Sequence, residues 1–148
     1  MGLFDRVLGA QRRTDVTLGP AEAFIGIPLL AIAADGYIAK EEVQVLVTTL
    51  CRLKMFRSYS SDVIASTIDR LMGVIQRQGP EALLSAAVAT LPHDLYETIF
   101  AVTTDIILAD GEVSPEEEVL LNELHQLLNI PDDLAVQIIN VMIIKNRG

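Results

Sequence analysis

The stretch LADGEVSPEEE, residues 108–118, decides how this chain folds. An apolar run through Ile106, Ile107 and Leu108 meets an Asp-Gly pair, and Ser114 and Pro115 then lead into three glutamates. Glycine enters the left-handed backbone region without steric cost, so Gly111 reads as the point where one helix stops and the chain reverses. Ser114, Pro115 and Glu117 fit a capping box with proline at the first helical position, so a new helix starts there. The stretch is a joint between two helices.

The same joint occurs earlier, as AADGYIAKEE at residues 33–42. At an offset of 75 residues, Ala34, Asp35, Gly36, Ile38, Glu41, Glu42, Leu46 and Leu53 fall on Ala109, Asp110, Gly111, Val113, Glu116, Glu117, Leu121 and Leu128. This spacing predicts an internal duplication, with Ile38 and Val113 each plugging into the core. A bundle with pseudo-twofold symmetry is its natural product.

Working outward from the joints, helical signals recur and strand alternation is nowhere sustained. A helix is predicted from Pro20 to Ala34, bent or split by Pro28, and a second over about 40–54 with Val43, Leu46, Leu50 and Leu53 at helical spacing. A third is capped by Ser60 or Ser61, carries Ile64, Ile68, Leu71, Met72 and Ile75 on one stripe, and stops at Gly79. Pro80 and Pro92 bracket a fourth, a fifth runs over 93–110, and Pro115 and Pro131 open the sixth and seventh. The expected fold is an all-α, single-domain bundle of about seven helices over residues 20–148. Residues 1–19 precede it as an amphipathic segment, with Leu3, Phe4, Val7 and Leu8 on one face, followed by a polar connector.

Bulk composition agrees. The 148 residues are 51% hydrophobic, with no Trp and few aromatics, so the core is built from Leu, Ile, Val, Ala and Met. Twenty acidic against eleven basic residues give a net charge of -9, which repels phosphate backbones and excludes nucleic acid as a partner. Asp5 and Arg6 interrupt the opening before a secretory signal can form, and Arg6 stands where a myristoylation signal at Gly2 needs Ser or Thr. The longest uncharged run, AFIGIPLLAIAA at 23–34, falls short of the roughly 20 residues of a bilayer span. A cytoplasmic protein with no direct membrane span is expected, and the single Cys51, flanked by Leu50 and Leu53, is expected in the core.

The repeated joint supports two readings of its acidic residues. In the first, the glutamates only start helices, as Glu117 does in its capping box. Two details resist it. The macrodipole disfavours aspartate at a helix C-terminus, so Asp35 and Asp110 each need a compensating donor or cation. In the first copy Ala39 replaces Ser114 and cannot cap, yet Glu42 is retained. The second reading starts from the spacing Asp-Gly-x-[Ile/Val]-x-x-x-Glu, which equals the later half of a calcium-binding loop. The earlier half is absent, since Ala31 and Ala33, or Ile106 and Leu108, stand at its leading ligand positions. Two such half-sites facing each other would supply the six to eight oxygens that calcium, magnesium or manganese prefers.

Other candidates are weaker. His93 and Glu97 are one helical turn apart, but His93 follows Pro92 at a helix start and is expected at the surface. His125, between Leu124 and Leu127, is expected to be half-buried and bonded to a carbonyl. Phosphate-binding glycine loops, nucleophile elbows, paired Cys-x-x-Cys and His-Glu-x-x-His are all absent, so no enzyme is predicted. A metal-assisted hydrolase using the paired carboxylates is the third and weakest reading.

The two acidic motifs, at these relative positions in a seven-helix chain that opens MGLFDRV, resemble the TerB-like tellurite-resistance family over most of the chain. The resemblance implies an all-helical, non-enzymatic protein of a bacterial stress response to tellurite, phage and metals. It also implies a divalent-cation site that maps onto Asp35, Glu42, Asp110 and Glu117, with Glu41 and Glu116 as secondary ligands. An integral membrane protein partner is implied too, which residues 1–9 could touch. The first copy departs from the family pattern at Ala39 and Lys40, where a polar cap is commoner.

Overall fold

A computed structural model describes residues 16–109 and 111–148. Asp110 and the amphipathic segment carrying Leu3, Phe4, Val7 and Leu8 lie outside the described residues. Among those described, the chain forms seven α-helices, two short 3-10 turns and no strand, an all-α bundle. The helices are α1 (Pro20–Ala33), α2 (Lys40–Cys51), α3 (Ser61–Gln78), α4 (Pro80–Thr90), α5 (Tyr96–Leu108), α6 (Pro115–Leu127) and α7 (Asp132–Lys145).

A helix that is apolar on every side belongs in the interior, and α1 is the axis of the bundle. Every residue from Ala23 to Ile32 is buried, and the helix packs chiefly on α4 and α5 while also touching α2, α3 and α6. It runs through Pro28 as one helix, so of the expected bend or split the split does not occur. Burying Phe24, Ile25, Ile27 or Leu29 stabilises by about 1.5–3 kcal/mol each relative to exposure, enough for a short helix interrupted by proline to persist. Phe24 meets Phe56 edge-on at 5.9 Å between ring centres, and Phe56 meets Tyr59 at 5.3 Å. At Gly26 α4 packs close on α1, where an added Cβ would just reach van der Waals contact with Leu83 at 3.4 Å.

Local signals set most boundaries. The Ser60 hydroxyl accepts from the Val63 N–H at 3.2 Å to start α3, and Gly79, at φ +91°, ends it. Helix α2 stops at Cys51, short of the expected position 54, because Lys54–Phe56 tighten into a 3-10 turn that turns Phe56 into the core. Cys51 itself is exposed, which corrects its expected burial: Leu46 and Leu50 occupy the inner face, and Cys51 is rotated about 100° away from Leu50. His93–Leu95 form the second 3-10 turn, leaving α5 to begin at Tyr96, and His93 is exposed as expected.

Polar ties hold the last helix. Lys145 and Asn146, at the end of α7, donate to Asp105 of α5 at 3.2 and 2.8 Å. His125 of α6 pairs with the Asp132 carboxylate at 3.1 Å, a carboxylate in place of the expected carbonyl. Among the described residues, no helix is long and apolar enough to cross a membrane.

Candidate functional site

The two joints have matching backbones. Gly36 and Gly111 adopt φ +83° and +84°, and each N–H returns to the carbonyl three residues earlier, Ala33 at 2.9 Å and Leu108 at 3.0 Å. Helices α1 and α5 therefore end with the same left-handed residue, as the repeated Asp-Gly pairs require. A few residues beyond, helices α2 and α6 begin with the same carboxylate bond. Glu42 Oε1 accepts from the Ala39 N–H at 3.1 Å, and Glu117 Oε1 accepts from the Ser114 N–H at 2.9 Å.

Only the second joint completes the box. The Ser114 hydroxyl accepts from the Glu117 N–H at 3.1 Å, whereas Ala39 has no side-chain oxygen and Glu42 works alone. Retention of Glu42 without a serine thus has a structural cause, since one of the orphan donors of α2 is satisfied by the glutamate itself. Asp35 also finds its expected compensating donor. Its Oδ1 accepts from the Tyr37 N–H at 3.3 Å in an Asx turn, which offsets the unfavourable position at the end of α1.

The joints come together at a pocket of about 160 Å³. Glu41, Glu42 and Val45 of α2 line one wall, Ile106 of α5 and the following Ala109 another, and Glu117 and Ile32 complete it. Carboxylates from both copies therefore border one cavity whose floor is apolar. Hydrogen-bonding into the caps holds Glu42 and Glu117 half-buried beside it, while Glu41 stands more exposed.

Two expected ligands are not brought there. Asp35 lines neither this pocket nor its counterpart, since its carboxylate turns to Tyr37 on the exposed bend. Glu116 lines a second pocket, of about 190 Å³, with Ala34, Leu120 and Glu123. Glu41 and Glu42 share the first pocket, whereas Glu116 and Glu117, at the matching positions of α6, line different pockets. The second pocket is the counterpart of the first at the same offset: Glu116 replaces Glu41, Leu120 replaces Val45 and Ala34 replaces Ala109. Pro80, Glu81 and Leu84 of α4 form part of its lining, and α4 has no equivalent at the first pocket. The expected match of Ile38 with Val113 fails as well, because Ile38 packs on the core while Val113 is 45% exposed.

The donors at the first pocket are hard carboxylate oxygens, the type that calcium, magnesium and manganese prefer. Among the described residues, however, no three of His, Cys, Asp and Glu converge closely enough to hold a metal ion. Asp110, between Ala109 and Gly111, is not among them. The apolar lining at Ile32, Val45 and Ile106 was not anticipated from the sequence; the one signal for it is Val45, a turn after Glu41 on the same helical face. No family model matches the chain, and no curated protein or solved structure matches it significantly.

Proposed function

We propose that this protein is a non-enzymatic, TerB-like adaptor that takes a hard divalent cation at the mouth of the pocket between its two acidic joints and passes that state to a protein partner. The observation that carries the reading is the shared border: Glu41 and Glu42 from one joint and Glu117 from the other line a single cavity. The net charge of -9 adds a long-range field that favours cations. Asp110 follows Ala109 in the sequence, and it is the residue we assign to complete the donor set. Among the described residues, the pocket lining contains no Ser, Cys or His, which favours a binding role over a catalytic one. The TerB-like resemblance of the two joints supports the same assignment and suggests a bacterial stress response and an integral membrane protein as partner.

Calorimetric titration of calcium, magnesium and manganese into the wild type and an Asp110→Asn variant tests it. Saturable binding to the wild type that weakens in the variant is expected, and equally weak heats from both refute the site.

A second reading rests on the caps. Glu42 and Glu117 are each used by their own helix start, and the pocket floor is apolar, so the joints could serve only to turn the chain beside a groove for another helix. It predicts a melting temperature that a chelator leaves unchanged, whereas a cation bound to the native state alone raises it by mass action.

A further inference from the structure

Helix α7 carries apolar residues on two sides, and only one of them is used. Leu134, Ala135, Ile138 and Ile139 turn toward the core, and Lys145 and Asn146 tie its end to Asp105. The other face is apolar and open to solvent: Val136 is 57% and Ile144 62% exposed, with Ile143 beside them.

The exposed face has a regular pattern. Asp133, Val136, Asn140, Ile143 and Arg147 are spaced three, four, three and four residues apart, the seam of a heptad repeat, and all five are exposed. The seam begins with an acid, ends with a base in the turn after the helix, and has a lone asparagine at its centre. Asp132 and Lys145, the other charges at the two ends, are paired within the chain to His125 and Asp105. Among the described residues Asp133 and Arg147 form no ion pair, Asp133 Oδ1 accepting only from the Leu134 N–H at 3.0 Å, and they are the charges at either end of the stripe.

We propose that a second copy of this chain covers this face, with the two α7 helices packed antiparallel about a twofold axis at Asn140. That centre pairs the end charges and sets the exposed Val136 against Ile144, while Ile143 falls opposite the polar Gln137. Asp133 of each copy meets Arg147 of the other, Val136 meets Ile144, Gln137 meets Ile143, and the two Asn140 amides, each both donor and acceptor, face each other across the axis. A parallel pairing would instead set acid against acid and base against base. Antiparallel packing also opposes the two helix dipoles favourably. An asparagine at a seam position is a known means of specifying register. This inference stands apart from the cation site, since no residue of the stripe lines the pocket between the joints.

A helix of 14 residues is about 21 Å long and buries less than a standard interface, so a reversible dimer with a dissociation constant of about 10–100 µM is expected. Sedimentation velocity of the full chain from about 1 to about 300 µM spans that range. The wild type should shift from monomer to dimer. Asp133→Arg and Arg147→Asp should each weaken association by about tenfold or more, and the double exchange should restore it. Restoration guards against misfolding as the cause, because the double variant carries both substitutions. Ile143→Asp should abolish the dimer while far-ultraviolet circular dichroism stays unchanged.

A chain that stays monomeric throughout overturns the proposal, and so does binding of that monomer to phosphatidylglycerol vesicles, which would mark the stripe as a lipid-facing surface. Dimers indifferent to Ile143→Asp would overturn it too, as would single exchanges that dissociate the dimer without recovery in the double.

Discussion

Glu42 is the residue at which the capping role and the cation role can be separated. Replacement by Gln keeps an amide oxygen able to accept from the Ala39 N–H, now bonded at 3.1 Å, and removes only the charge. Replacement by Ala removes both. A net hydrogen bond contributes about 1 kcal/mol and an anion in the first turn about 0.5 kcal/mol, so Ala should cost about 1.5 kcal/mol and Gln about 0.5 kcal/mol. For a chain of this size that corresponds to a melting temperature lowered by about 3–6 °C and about 1–2 °C respectively, measured in chelator. Added calcium, magnesium or manganese at about 100 times its dissociation constant should stabilise the wild type by about 2.7 kcal/mol, or about 5–10 °C. The Glu42→Gln variant should lose most of that gain despite its intact cap. Differential scanning calorimetry of the three proteins, each with chelator and with cation, reads both effects. Equal cation shifts in wild type and Glu42→Gln would remove Glu42 from the site, and no shift in either would remove the site. If Ala and Gln cost the same in chelator, the capping argument itself is wrong.

Three further expectations follow from single residues. Thr103 is fully buried and its hydroxyl oxygen has no partner among the described residues, so the isosteric Thr103→Val should raise stability by about 1 kcal/mol in urea titration. Gly36→Ala should cost about 1–2 kcal/mol in the same assay, from the φ of +83° alone, since a Cβ there meets nothing within 4 Å. Gly36→Asn, which tolerates that conformation better, should cost less. Cys51 should react stoichiometrically with a disulfide reagent in native buffer, because it is exposed at the end of α2; protection until denaturation would contradict the packing described.

Helix identities were readable from sequence wherever a residue leaves the backbone little choice. Gly36, Gly79 and Gly111 all adopt positive φ, Ser60 and Ser114 both cap, and each marks a boundary that neighbouring side chains do not move. Errors arose where a tertiary neighbour decides. Cys51 looked apolar among Leu50 and Leu53, but the face of α2 that turns inward ends at Leu50. Val113 occupies the position of Ile38, yet a residue in a bend is not bound to a helical face, and only Ile38 packs on the core. Glu116 lines a different pocket from Glu117, and the α4 residues that share its lining, Pro80, Glu81 and Leu84, are a long-range contact with no local signal.

The first pocket shows why sequence spacing alone could not choose between cap and cation. Folding Glu42 and Glu117 back onto their own helix starts is also what holds a carboxylate from each joint beside the shared cavity. A cap engages one carboxylate oxygen and needs no charge, because a neutral amide oxygen accepts the same N–H. A divalent cation needs the charge, and gains from ligands already held in place. The two roles therefore make identical demands on position and different demands on charge, which the cap can do without and the cation cannot. Any substitution that alters geometry confounds them, so the charge-only exchange at Glu42 carries more information than a truncation there.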